Sequence, residues 1–169
     1  MAAAAATAAI LLLAGCAGTA GDSGEATSPI SSGVCADDTG VTLVVDSSAL
    51  DDGALEEFCV TTDEPITAAD AFDIAEITTE GTEEYGDQVV CRVNNVPAED
   101  LALTAEDGSD YFETCESMAP AFAYWSLWVK PAGGEWDYAQ EGISTLQLEP
   151  GDAAELLFTL NGEPATPSS

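Results

Sequence analysis

The residue whose sequence context predicts the most definite chemistry is Cys16. It follows Leu13-Ala14-Gly15, and residues 1–13 are almost entirely apolar. A stretch of this length is too short to remain across a bilayer and is typical of the hydrophobic region of a signal peptide. A cysteine directly after the small residues of a processing site supplies the thiol that receives a diacylglycerol before cleavage. We therefore predict a lipoprotein signal peptide over residues 1–15 and lipid attachment at Cys16. No Lys or Arg precedes the apolar residues, which leaves open a start upstream of Met1.

Four further cysteines are expected to form two disulfides, because an even number of cysteines in an exported domain is usually oxidised in pairs. They are Cys35, Cys59, Cys91 and Cys115. A zinc site is the alternative, but the sequence contains no CxxC pair and no histidine. We therefore predict disulfides and no metal.

Local geometry favours one of the three possible pairings. Residues 41–45 alternate as a strand, and residues 55–60 can return as its antiparallel partner across the turn at 51–53. Cys59, at the far end of the returning strand, then lies near Cys35. The predicted disulfides are Cys35–Cys59 and Cys91–Cys115.

Five aromatic residues lie close together in the C-terminal part of the chain: Tyr124, Trp125, Trp128, Trp136 and Tyr138. In an alternating strand the even-numbered residues from Tyr124 to Trp128 share one face of the sheet. Trp125 and Leu127 share the other face, so at least one tryptophan should lie in the core. Two roles remain open. The rings either supply bulk to a small core, or one face presents an aromatic platform to an apolar or planar ligand.

The residue inventory argues against an enzyme. There is no histidine, Lys130 is the only lysine, and the thiols are expected to be oxidised. These absences remove histidine-based acid–base chemistry and the Ser-His and Cys-His nucleophile systems. No glycine-rich phosphate loop is present, so we assign no catalytic residue and no cofactor.

Charge narrows the choice of partners. The chain has 32 acidic residues and 2 basic ones, with a net charge of −30. Binding to a nucleic-acid backbone needs clustered Lys and Arg and is therefore excluded. Such acidity usually keeps a surface solvated. Attachment to the extracytoplasmic face of the cell membrane is expected to come from the lipid on Cys16 alone.

Composition divides the chain into four parts. Residues 16–33 are rich in Gly, Ser, Thr and Ala and are predicted to be a flexible tether, and residues 162–169 are predicted to be a disordered tail. Residues 34–161 form one domain. Thr67 and Asp70 begin a predicted helix of about ten residues that ends near Gly81. Strands are predicted over 88–93, 121–130 and 155–160, with a tight turn at Asn94-Asn95. The expected fold is α+β, a small disulfide-stapled antiparallel sheet with one helix on one face.

The motifs along this domain resemble those of a known bacterial family. They are Val-Thr-Leu-Val-Val-Asp at 41–46, Val-Cys-Arg-Val-Asn at 90–94, Tyr-Trp-Ser-Leu-Trp at 124–128, Trp-Asp-Tyr at 136–138, and Pro-Gly-Asp at 150–152. The chain is similar, over about residues 41–160, to lipoproteins with a domain like the C-terminal domain of transcobalamin and intrinsic factor. The Tyr-Trp-Ser-x-Trp sequence is the most specific part of this resemblance.

The resemblance implies a β-grasp-like fold and a ligand. In the vitamin carriers this domain closes over cobalamin, so cobalamin is one candidate ligand here. Some bacterial members accompany uptake transporters, which makes such a transporter a candidate partner. By similarity, the candidate ligand-binding residues are Tyr124, Trp125, Trp128, Trp136 and Tyr138. The helical partner domain that forms the other half of the carriers' site is absent from this sequence.

Two functions therefore stand open. The first is a membrane-anchored lipoprotein that binds a small ligand, with a corrinoid as one candidate, or serves as accessory to an uptake transporter. The alternative is a cell-envelope module that binds a protein or a polysaccharide and has no small-molecule ligand.

Overall fold

The computed structural model describes residues 28–36 and 38–168. The signal peptide over 1–15, Cys16 and most of the tether lie outside the described residues, and what was predicted for them stays a prediction. The helix of the described chain is α1, Ala68–Ile74. The strands are, in chain order, β1 Ile30–Ser32, β2 Gly40–Asp46, β3 Leu55–Thr61, β4 Ile66–Thr67, β5 Thr79–Thr82, β6 Gly86–Val93, β7 Leu103–Thr104, β8 Asp110–Tyr111, β9 Ala123–Lys130, β10 Asp137–Tyr138, β11 Gln147–Leu148 and β12 Ala153–Leu160.

A six-stranded sheet forms the centre of the molecule, in the order β1-β3-β2-β12-β9-β10. Its neighbours are antiparallel except β2 and β12, which run parallel. Three small two-stranded sheets accompany it, namely β4 with β11, β5 with β6, and β7 with β8. The expectation of an antiparallel α+β domain is therefore corrected: the described chain is mostly β, with a mixed central sheet and one short helix. A parallel pair arises because the chain makes a long excursion between β2 and β12.

The strands and turns predicted from alternation are found close to their expected positions. β2 and β3 form the predicted hairpin, in which Val41 lies opposite Val60. The Asn94-Asn95 turn has positive φ at both residues, 49° and 63°, and Val93 and Val96 exchange main-chain hydrogen bonds across it. Asparagine tolerates this left-handed conformation better than most residues, which explains its presence at both central positions.

The helix begins as predicted but ends earlier. Thr67 caps it, because its hydroxyl accepts a hydrogen bond from the main-chain N–H of Asp70. The helix stops at Ile74 and does not continue toward Gly81, because Glu76 adopts a φ of 59°. The N–H of Ile77 then bonds the carbonyl of Phe72, which closes the helix in a Schellman arrangement. The residues that follow form β5 instead of further helical turns.

The main core lies against one face of the central sheet. The helix covers this face with Ala68, Ala71 and Phe72, all of them buried. Trp125 of β9 and Phe158 of β12 pack beside each other in this core, with ring centroids 5.3 Å apart. Deletion of one such aromatic side chain typically costs about 3–5 kcal/mol. The position of β9 is therefore fixed firmly through Trp125.

Both predicted disulfides are present. Cys35 is bonded to Cys59, and Cys91 is bonded to Cys115. The first ties the segment before β2 to β3, and the second ties β6 to the loop that precedes β9. The folded unit also reaches beyond the predicted domain limits of 34 and 161, because β1 pairs with β3 at Ile30–Ser32 and Glu163 pairs back with Leu160.

Candidate functional site

The aromatic residues of β9 separate onto the two faces of the sheet. Trp125 points into the main core, and its indole Nε1 donates to the carbonyl oxygen of Val96 at 2.9 Å. Trp128, on the opposite face, is also buried and stacks on Tyr138 with ring centroids 3.9 Å apart. The alternation predicted for this strand is therefore found, and both tryptophans are structural as well as candidate ligand residues.

An elongated groove runs between β6 and the free side of β9. It consists of two joined depressions of about 390 Å³ and 300 Å³, which share the lining residues Val89, Val90, Met118 and Trp125. Tyr138 lines the larger depression and Tyr124 the smaller one. We call this feature the β6–β9 groove. Its volumes lie at the lower end of the range in which proteins bind small ligands.

The walls of the groove are held by two local features. The Cys91–Cys115 disulfide fixes the loop that carries Met118 to β6. Gly142 lies against the main chain of the facing strand, since a Cβ at this position would be 3.0 Å from the Cα of Gln88 and 3.2 Å from the carbonyl oxygen of Asp87. A larger residue at position 142 would therefore push the wall of the larger depression away from β6.

The tyrosines give the groove a polar margin. The hydroxyls of Tyr124 and Tyr138 interact, and the pKa of Tyr138 is raised, chiefly by burial and further by Tyr124. Tyr138 nevertheless leaves 46% of its surface exposed, and Met118 leaves 59%. An exposed aromatic ring and a flexible thioether are suited to contact with a planar or apolar surface.

The charge along the groove is negative or absent. Asp87 and Glu141 line the larger depression, and neither Lys nor Arg is among the residues that line either depression. The Nη1 of Arg92 forms a salt bridge with Glu80 at 2.6 Å, and the ammonium of Lys130 lies 4.9 Å from the centroid of the Trp136 ring. The groove therefore offers no cationic partner to an anionic ligand.

The structure brings together only part of the predicted ligand set. Trp125, Tyr124 and Tyr138 line the groove. Trp128 lies behind Tyr138 and lines neither depression, and Trp136 lines neither depression and contacts Lys130. The contribution of Val89, Val90 and Met118 was missed, because pairing across a groove between strands far apart in sequence leaves no local pattern.

A buried carboxylate on the second face was also missed. Glu155 has no exposed surface, and within the described chain neither of its carboxylate oxygens has a hydrogen-bond partner. It lies between Val44 of β2 and Trp128 of β9 in the sheet register. Burial, together with the charges of Asp46 and Glu57, raises its pKa to about 7, against the opposing effect of Lys130.

Arg92 organises the region beside the groove. Its side chain is buried and donates to three oxygens: Nε to the carbonyl of Pro97, Nη1 to the carboxylate of Glu80, and Nη2 to the carbonyl of Glu113. A planar guanidinium meets three such acceptors at once where an ammonium would not. Arg92 is thus structural and is not available to an anionic ligand.

Potential metal ligands approach one another closely at one place in the described residues. Glu80 lies near the sulfurs of Cys91 and Cys115. Those two sulfurs are joined in a disulfide, so they are not thiolate ligands.

Comparison with known protein families, with curated proteins and with solved structures gives no match for this chain. Within the described residues, no helix is both long and apolar enough to cross a membrane.

Proposed function

We propose that this chain is an exported, lipid-anchored binding protein that captures a small, planar and largely apolar ligand in the β6–β9 groove. The observation that carries this proposal is the groove itself. It combines the firmly held residue Trp125, which lines both depressions, with the exposed residues Met118 and Tyr138. Apolar residues of β6 and β9 converge in the larger depression beside the polar residues Asp87, Gln88, Gln140 and Glu141. A cleft in which apolar and polar groups converge is typical of a ligand site.

A corrinoid is the ligand class that we propose first, on the resemblance to transcobalamin-like lipoproteins and to their β-grasp-like domain. Two depressions of about 390 Å³ and 300 Å³ hold an edge of a corrin macrocycle and not the whole of it. Such a ligand would leave its other side uncovered. A second subunit, such as the extracytoplasmic surface of an uptake transporter, would complete the site.

The location of the protein is part of the proposal. Two disulfides are typical of a protein that works in an oxidising compartment. Acylation at Cys16 would hold the domain at the extracytoplasmic face of the membrane. In cells labelled with a palmitate analogue, the wild-type chain should carry the label and appear in the membrane fraction. Cys16→Ala should lose both the label and the membrane association. Label on Cys16→Ala would refute the assignment.

Titration of tryptophan fluorescence with cobinamide and cobalamin tests capture directly. Saturable quenching is expected, because Trp125 lines the groove. Tyr138→Ala and Met118→Ala should each weaken binding about tenfold or more, since each removes an exposed contact side chain. The control is Tyr85→Ala, which removes a tyrosine of similar exposure that does not line the groove.

An envelope-interaction module is the second candidate, and the exposure of Met118 favours it. An exposed methionine beside an aromatic side chain also suits a protein contact. Absence of quenching by any corrinoid, together with retention of an envelope protein that Met118→Ala releases, would replace the first proposal by this one.

A further inference from the structure

The side of β9 that faces the groove carries main-chain groups that no strand of the described chain pairs. Along β9, the main-chain groups of alternate residues point to opposite neighbours. Ala139 donates to the carbonyl of Leu127, so the odd-numbered residues of β9 point away from β12. β10 pairs with β9 only at Trp128 and Val129. The N–H and C=O of Trp125 therefore point outward beyond the end of β10.

These two groups lie at the groove and not at an open surface. Trp125 lines both depressions, and only 7% of the residue is exposed. Trp125 lies opposite Phe158 of β12 in a non-hydrogen-bonded pair, because the odd-numbered residues of β9 point away from β12. Outside the strand pairings, no hydrogen bond within the described residues reaches its main-chain N–H or C=O. Main-chain groups of a largely buried residue are costly to leave unmatched, at about 1–3 kcal/mol each. A ligand that satisfies both would therefore gain more at this position than one that satisfies a single group.

A primary carboxamide matches this pair. Its C=O and one of its N–H groups lie on the same edge, so it accepts from the N–H of Trp125 while it donates to the C=O of Trp125. A carboxylate or an ester can only accept. Asp87 and Glu141, with no basic residue in the lining, further disfavour a carboxylate. The geometry points to a neutral primary carboxamide on the ligand, held by the main chain of Trp125.

This inference rests on the proposed function, because it names the chemical group by which the captured ligand is held. The apolar body of the ligand lies against Met118 and Tyr138, and its carboxamide completes the edge of β9. The ligand class is thus a neutral, carboxamide-bearing molecule with a planar or apolar body.

The first experiment needs no corrinoid. Propionamide is titrated into the 15N-labelled mature domain, and the main-chain amide signal of Trp125 is followed. A saturable downfield shift is expected with propionamide. N,N-dimethylpropionamide and propionate, which can only accept, should need at least tenfold higher concentrations for the same shift. Ser32 is the matched control, because its main-chain groups also point outward at an edge of the same sheet, but it lines neither depression. Equal shifts with all three compounds, or no shift at Trp125, would overturn the inference.

A second experiment separates the inference from the proposed function. Cobinamide, which carries primary carboxamides, is compared with the corresponding corrin heptamethyl ester by fluorescence titration. Cobinamide should bind about tenfold tighter or more, the loss expected when a buried donor or acceptor stays unmatched. Equal binding of the two would refute carboxamide recognition and leave capture standing. If neither compound binds but propionamide shifts the Trp125 signal, the corrinoid is refuted as the ligand and carboxamide recognition stands.

Discussion

Glu155 shows how one residue can set the pH dependence of a whole sheet. Its carboxylate is buried beside Trp128, and no hydrogen bond within the described chain stabilises its charge. Burial of an unmatched charge favours the protonated form, which explains the pKa of about 7. Because folding raises this pKa, the folded state gains stability at low pH and loses it as the pH rises from the ordinary carboxyl range through 7.

We therefore expect Glu155→Gln to flatten the dependence of the melting temperature on pH. At pH 8 the variant should melt several degrees above the wild type, because the amide carries no charge to bury. At pH 5 the two should differ little. Glu99→Gln removes the same charge from an exposed position and serves as the control. A wild-type-like loss of stability between pH 5 and pH 8 in Glu155→Gln would contradict the assignment.

At the scale of the secondary-structure elements, the two disulfides have different structural roles, although each joins cysteines 24 residues apart. Loops of this length predict a similar entropic stabilisation, about 3–4 kcal/mol for each crosslink. Only the Cys91–Cys115 bond holds a wall of the β6–β9 groove, because β6 carries Cys91 and the loop with Met118 follows Cys115.

Replacement of each pair by alanine should separate these roles. Both double variants should lose a comparable free energy of unfolding in urea. In NMR spectra, Cys91→Ala/Cys115→Ala should also shift the main-chain amide signals of Val89, Val90 and Met118. Cys35→Ala/Cys59→Ala should leave these signals in place. Undisturbed groove signals in the first variant would show that the disulfide does not shape the groove.

Local signals in the sequence predicted the elements far better than their assembly. The hairpin of β2 and β3, the Asn94-Asn95 turn and the cap at Thr67 each depend on residues close together in the chain. The end of the helix was missed because Glu76, and not a glycine, takes the left-handed conformation. The parallel pairing of β2 with β12 was missed because the two strands lie more than a hundred residues apart in the sequence. No local periodicity encodes such a pairing.

The candidate site was predictable only in its aromatic half. A cluster of rings on β9 can be read from the sequence, and alternation assigned Trp125 and Trp128 to different faces. Which ring borders a cleft depends on the element that packs opposite. That element, β6, ends 30 residues before β9 begins. Likewise, nothing in the sequence distinguishes Glu155 from the other acidic residues until its strand is placed at the sheet centre.

At the scale of the whole molecule, charge repulsion opposes the compact state. With a net charge of −30, most acidic groups have no cation to face. Both basic side chains already interact with neighbours in the fold. Salt should therefore stabilise the protein by screening, since the Debye length falls from about 30 Å at 0.01 M to about 8 Å at 0.15 M.

We expect the melting temperature at pH 7 to rise by several degrees between these two salt concentrations. Sodium chloride and choline chloride should act alike, because screening depends on ionic strength and not on the identity of the cation. A larger rise with sodium would indicate specific ion binding, and a flat response would contradict the importance of repulsion.

The place of β12 in the sheet has a consequence for how the protein is made. This strand is the last among the described residues, yet it lies inside the sheet, between β2 and β9. Until Leu160 has left the ribosome, the earlier strands have no common partner and the core cannot close. A nascent chain that cannot fold before its last strand is made stays unfolded, and an unfolded chain is what a translocation channel can pass. For an exported chain, as we propose this one to be, this order of strands would delay folding until most of the chain has crossed the membrane.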